Sequence, residues 1–361
     1  MMEDREAGKI VLSVLLPFRD PGGLLADTLG RFEDLCRDGV EFVLVDDGST
    51  DGSTRTAEDW VTEHDRAVLI TPEKHGGVSW ARDVGVRAAH GEYVWMIDCD
   101  DRVPSGTMGA LLAALSARSP AHGDRAPVDM VVFRARVVEI SGRTREIDGA
   151  PGRRQLRLNR SELAAAVLDG TVRGYLWTKV IRRSVLIGIL DSYEHTSSQS
   201  DFMTVLACVP QLATTVLLPQ VGYEYLQREG SISTTDTRQL DNTARCAERA
   251  LSVLPPMVEG RIRPQILAAS FRLWFHLVPC CATPVHRGRP PATVREIHRR
   301  LLPQIGLRGI VAAAVTGHVR EAVHALILRI LGPSGSYTPV YRTGRRLIDF
   351  VAARSAVRRR S

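Results

Sequence analysis

Four short apolar runs in the first hundred residues, each followed by a polar turn and then by residues at helical spacing, leave this chain few folds. Residues 10 to 16 are nearly unbroken in apolar character and stop at Pro17, as a central parallel strand does. Leu24, Leu25, Thr28, Leu29 and Phe32 then recur at the intervals of one helix face. A strand at 41 to 45 and a helix at 57 to 63 repeat the pattern, as do a strand at 67 to 70 and a helix at 79 to 89. Strands and helices alternating through short loops predict an α/β fold with a mostly parallel sheet and right-handed crossovers.

The fourth run, Tyr93 to Ile97, ends on Asp98, Cys99, Asp100 and Asp101, three carboxylates in four residues. A strand that stops there delivers its acids to the rim of the sheet, where open α/β folds bind ligands. Carboxylates this close repel one another unless a cation sits between them. Oxygen donors alone favour Mg²⁺ or Mn²⁺, and two carboxylates leave positions for phosphate oxygens. Taken by itself the string reads equally well as a solvated turn capping the next helix, with Asp101 near the N-cap and Pro104 in the first turn.

Farther on, the pattern predicts a helix at 104 to 117, a strand at 129 to 140, a polar Arg- and Gly-rich flap at 142 to 157 and a helix at 161 to 168. Ser200 and Asp201 open an apolar helix, and 214 to 218 is a strand. After about residue 236 the chain turns helical, at 237 to 254, 264 to 279, 293 to 302 and 309 to 331, with a basic amphipathic piece at 341 to 360. Three regions result: a charged, flexible N-terminus (1–9), an α/β domain (10–235) and a helical, basic C-terminal region (236–361). Of the net charge of +6, residues 261 to 361 carry +15, from 18 Arg and 3 acids, which leaves −9 for the rest. Such a tail suits an anionic membrane surface, a packed accessory domain or an oligomer. Its sparse aromatics and lack of any known motif exclude nucleic acid.

Three Lys against 44 Arg resembles the codon bias of a GC-rich bacterial genome, a pointer to source and not to function. The six Cys form no C-x-x-C pair and read as reduced thiols. With no signal-peptide core and no apolar run of about 18 residues, the expected location is cytoplasmic, with peripheral contact at the inner face of the cell membrane left open. His64, His75 and His195 show no companion at metal-ligand spacing.

The blocks at 13–18, 43–53, 76–85, 91–101, 177–184, around Asp201 and at 225–233 occur in an order that resembles the family 2 glycosyltransferases, over roughly residues 10 to 235. The resemblance implies the GT-A fold and inverting transfer from a nucleotide-sugar, a UDP-sugar by the family's habit. It places Pro17, Phe18, Asp46, Asp47, Gly76, Gly77, Arg82, Asp98, Asp100, Asp101, Arg228 and Ser231 around the donor. Asp47 would read the base edge with Asp46 beside it, and Phe18, where the family often has Tyr, would stack on the base or serve as a core aromatic. Asp98 and Asp100 match the D-x-D pair that holds Mn²⁺ or Mg²⁺. Asp201 matches the general base, with Ser200 in place of the usual Glu and Glu194 in reserve. Trp177 and Lys179 fit the acceptor-side segment, and Arg228 and Ser231 a loop that closes over the diphosphate. The acceptor implied is a hydroxyl of a cell-surface polysaccharide, a teichoic-acid-like polymer or a lipid-linked glycan. The alternative is an inactive nucleotide-sugar or glycan binding protein of the same fold. A sugar nucleotidyltransferase is disfavoured, because residues 18 to 23 lack its Gly-rich basic loop.

Overall fold

The computed structural model describes residues 9–116, 127–192, 196, 198–228, 239–341 and 343. Ser231, Glu194, His195, most of the N-terminal region and the basic stretch after 343 lie outside the described residues. The chain divides into two compact units, Met1–Asn242 and Thr243–Ser361.

The first unit is built on one nine-stranded sheet. β1 (Leu12–Phe18), β2 (Val40–Asp46), β3 (Ala67–Ile70) and β4 (Tyr93–Met96) are joined by α1 (Gly23–Phe32), α2 (Ser53–Thr62) and α3 (Val78–Ala88), and lie in the order β3-β2-β1-β4, all parallel. β1 and β2 are buried at every position, which is why they lack alternation. After α4 (Thr107–Ser116) come β5 (Met130–Val138), β6 (Thr144–Ile147), β7 (Leu156–Asn159), α5 (Arg160–Leu168), β8 (Lys179–Arg182), α6 (Arg183–Ile189), α7 (Ser200–Cys208) and β9 (Thr214–Leu226).

This second half makes the sheet mixed rather than mostly parallel. β8 runs antiparallel between β4 and β5, β9 is parallel to β5, and β6 and β7 are antiparallel to β5 and β9. The expected flap at 142 to 157 is thus partly sheet. β9 reaches far beyond the expected residue 218 because Pro219, which cannot donate to a ladder, falls where the β5–β9 register shifts, and pairing resumes at Val221.

β1 also runs on past the expected stop. The Leu15 carbonyl accepts from Ile97 and the Phe18 carbonyl from Asp47, so by alternation Pro17 faces the β4 side, beyond the last β1–β4 pair at Leu15 and Met96. Its missing N–H therefore breaks no bond. Here the sheet order turns from decreasing to increasing strand number, which makes the C-terminal ends of β1 and β4 the crevice of the fold. Beneath it Trp95 is fully buried, edge-on to Phe133 (5.2 Å) and Tyr223 (6.3 Å), with its indole N–H on the Trp177 carbonyl at 2.9 Å.

The second unit holds α8 (Gln239–Val253), α9 (Arg263–Phe271), a π-helical stretch (Arg272–Leu277), α10 (Val278–His286), α11 (Pro291–Leu301), α12 (Leu307–Val315) and α13 (Val319–Leu331), with α8 beginning in the first unit's last residues. The expected single helix at 309 to 331 is two, because Gly317 adopts φ 91° and ends α12. Contrary to the sequence expectation, Arg263–His286 forms one helical run of 24 residues, long and apolar enough to cross a membrane by length and composition. Its Leu267, Phe271, Leu277, Cys281 and Val285 are buried, as in the core helix of a folded unit.

Candidate active site

The acids at 98 to 101 leave β4 at the crevice and are anchored from several sides. The Asp98 amide donates to the Tyr223 hydroxyl (3.1 Å), the Cys99 carbonyl accepts from Thr28 Oγ1 (2.5 Å), and the Asp100 carbonyl accepts from Arg228 (2.8 Å). One Asp101 oxygen accepts from the Leu226 amide at 2.9 Å, while Oδ2 is buried without a hydrogen-bond partner. Burial first, then the Asp98 and Asp100 charges, pushes the Asp101 carboxyl up to about 8. Loss of solvent around Asp98 raises its carboxyl to about 6 against the pull of Arg82. An all-oxygen donor set with one buried carboxylate oxygen left over fits a divalent cation. Among the described residues these acids do not gather three ligand atoms within 4.8 Å, so a cation here would need oxygens from a ligand or water.

Arg82, in the second turn of α3, is buried and joins two carboxylates. Its Nη1 lies 2.6 Å from Asp201 Oδ1 and its Nη2 3.2 Å from Asp98 Oδ1, while Nε is buried without a partner. Both acids hold the guanidinium charge in place. Asp201 sits in the first turn of α7, its second oxygen accepting from the Leu176 amide at 3.2 Å. The structure therefore brings Arg82, Asp98, Asp100, Asp101, Asp201 and Arg228 into one neighbourhood.

Other expected residues take internal roles. Asp47 accepts from the Gly76 and Gly77 amides (2.9 Å each) and meets His75 Nδ1 at 2.6 Å, so it pins the loop before α3. A Cβ at Gly76 would stand 2.5 Å from the Trp80 ring, and Gly77 has φ 84°. The glycines are thus required by this packing and turn, whatever approaches them. Asp46 holds its own turn through the Ser49 amide (2.8 Å) and Thr54 Oγ1 (2.5 Å).

Phe18 lies in the core at 4% exposure and offers no ring face to a base here, because β1 continues through it; Pro17 is likewise enclosed. Trp177 is buried in a stack with Tyr175, Tyr223 and Tyr225 at 4.8 to 5.4 Å. Lys179 is fully buried and donates to the Tyr175 carbonyl (2.8 Å) and Thr178 Oγ1 (2.9 Å), with Asp148 at 3.5 Å. Neither side chain meets an acceptor directly in this structure. Nor is His64 without companions: Glu33, Cys36 and His64 place their ligand atoms within 4.8 Å of one another, a cluster just past the C-terminal ends of α1 and α2 that sequence separation hid. Tyr223 and the Leu176 amide were also missed; the alternation of Tyr223 and Tyr225 was the one available signal.

A crossover α/β unit with acids and a buried arginine at its switch point has the ligand crevice of an open α/β enzyme. Residues 13–188 match the family described as Glycosyl transferase family 2, and over that stretch the chain is similar to it. Glycosyltransferase GlyG of Streptococcus pneumoniae serotype 4 is 30% identical over 101 residues, 28% of this chain and 34% of that protein, so the match spans about a third of the relative. S. aureus TarS 1–349 in complex with UDP-GlcNAc superposes with a TM-score of 0.61 at 15% identity, over 90% of this chain and 92% of that one. The mannosyltransferase PcManGT from Pyrobaculum calidifontis, in complex with GDP-Man and Mn²⁺, gives 0.52 at 15% identity over 89% and 87%. The fold is of the GT-A type.

Proposed function

We propose that the chain is a metal-dependent inverting glycosyltransferase that moves a sugar from a nucleotide-sugar, a UDP-sugar first, to a hydroxyl of a cell-envelope polysaccharide, teichoic-acid-like or lipid-linked acceptor. The observation that carries this reading is Arg82 held between Asp98 and Asp201, since one guanidinium then links the donor-side acids to the general base. UDP-GlcNAc on TarS supports a uridine donor, and GDP-Man with Mn²⁺ on PcManGT supports a cation at such acids.

Asp201 removes the acceptor proton as the acceptor oxygen attacks the anomeric carbon, while the bond from that carbon to the diphosphate breaks on the opposite face. Arg82 turning toward diphosphate oxygens would release Asp201 to the acceptor hydroxyl when the donor is present. A divalent cation on Asp98 and Asp100 would supply Lewis acidity toward the leaving diphosphate. Arg228, fixed on the Asp100 carbonyl, adds a second positive charge on that side.

Calorimetric titration of UDP, GDP, CDP and TDP, with Mn²⁺ and again with EDTA, tests this on wild type and Asp100→Ala. UDP binding that needs metal and is lost in the variant is the expected result. No binding of any nucleotide would overturn the donor site and favour a fold kept for glycan binding or scaffolding.

A further inference from the structure

Two helices of the second unit are built inside out. α12 turns Ala312 and Ala313 inward and presents Leu307, Val311 and Val315 outward, each more than half exposed. α13 repeats the arrangement, burying Ala322, Ala325 and Leu328 while Val319, Val323 and Ile330 are each more than half exposed. An ordinary surface helix keeps its large apolar side chains on the core face and its polar ones outside. Eight of the fourteen large apolar side chains exposed among the described residues fall between 307 and 330. Scattered exposed leucines need no explanation, but a stripe this concentrated does. At 100° per residue, Arg308 and Arg320 fall along one margin of the two stripes, both exposed, while Arg329 turns back to the Ile305 carbonyl at 2.7 Å. Glu321, the one acid on these helices, lies on the far side of its helix from the stripe. The sequence after residue 341 adds seven Arg against one acid, Asp349.

We propose that the outward face of α12 and α13 docks on the surface of an anionic lipid bilayer. The branched apolar side chains enter the boundary between headgroups and acyl chains, and the marginal arginines pair with lipid phosphates. At 1.5 Å per residue the helices are roughly 14 and 20 Å long, too short to cross a hydrocarbon core of about 30 Å, so they lie in its surface. Charge selects the bilayer over a second copy of the chain. A self-complementary interface would press Arg-edged faces together, whereas an anionic surface opposes every one of these charges. Nothing here depends on sugar transfer, and the test reads no turnover.

The full chain is floated with vesicles of phosphatidylcholine alone or mixed with phosphatidylglycerol, at low and high salt. Val315→Glu/Val323→Glu and Arg308→Glu/Arg320→Glu variants are floated alongside, with circular dichroism and elution volume confirming their folds. Wild type is expected to float with the anionic vesicles about tenfold more than with the neutral ones. The Val→Glu pair stays in the soluble fraction, and the Arg→Glu pair loses the preference for anionic lipid. Wild type that ignores vesicles overturns the proposal. So does a Val→Glu pair that floats like wild type, which would assign binding to the sequence after 341, or one whose sole change is a dimer becoming a monomer, which would make a second copy the occupant.

Discussion

Two buried cations in the first unit show opposite treatments of the same electrostatic cost. Lys179 and Asp148 have no exposed side-chain surface at all, and their network is closed: the ammonium reaches Tyr175, Thr178 and Asp148, while Asp148 also accepts from the Arg173 amide and Thr178. Arg82 is buried less completely, its side chain 8% exposed, its partners Asp98 and Asp201 remain 32% and 22% exposed, and its Nε has no partner. A closed network fixes a structure; an open one has capacity for a ligand. That difference is why Lys179 belongs with the scaffold and Arg82 with the site.

The sharpest way to break the comparison is Asp201→Asn. Transfer should fall by about a hundred- to ten-thousand-fold in kcat while nucleotide binding holds, with a urea midpoint lowered less than in Lys179→Met because Asp98 still pairs with Arg82; unchanged kcat would remove Asp201 as the base. Lys179→Met should do the reverse, costing about 3–5 kcal/mol in urea unfolding because it strands a buried carboxylate. A loss below 1 kcal/mol would show that the pair is solvated. Gly76→Ala, which drives a methyl into Trp80, should cost about 1–3 kcal/mol and weaken nucleotide binding through the loop that Asp47 holds.

The smallest expected effect is alkaline. Burial pulls the Lys179 ammonium below the usual lysine range against the pull of Asp148, so the unfolded chain binds that proton more tightly than the folded one. Stability from this group rises with pH between its folded and its unfolded pKa. The wild type minus Lys179→Met difference should therefore grow through that window, and a flat difference would contradict the assignment.

Legibility in the sequence followed the range of the interactions. β1, β2 and β4 are legible because each is buried along its whole length, β3 because it is a short apolar run bounded by its own turn, and the acids and Asp201 stand out as local patterns. β8 did not, since four residues at 179 to 182 become a strand only through antiparallel partners about fifty and ninety residues away in sequence. The break at Gly317 was masked by apolar residues on both sides of it. The resemblance leaves Phe18 between base stacking and the core and puts Lys179 on the acceptor side, and residue type does not report the depth that places both in the interior. Arg82, placed by its block, gained its two carboxylate partners only from the crossing of α3, the acid loop and α7.

The bond from the Leu226 amide to Asp101 ties the end of the longest strand to the acid loop, with Arg102 and Glu224 bridged just before it. That amide proton is a native sensor. A ligand that draws the Asp101 carboxylate away frees it to exchange with deuterium, while one that tightens the loop slows it, so the timing of a single peptide segment can tell when the acids are engaged without any label at the site.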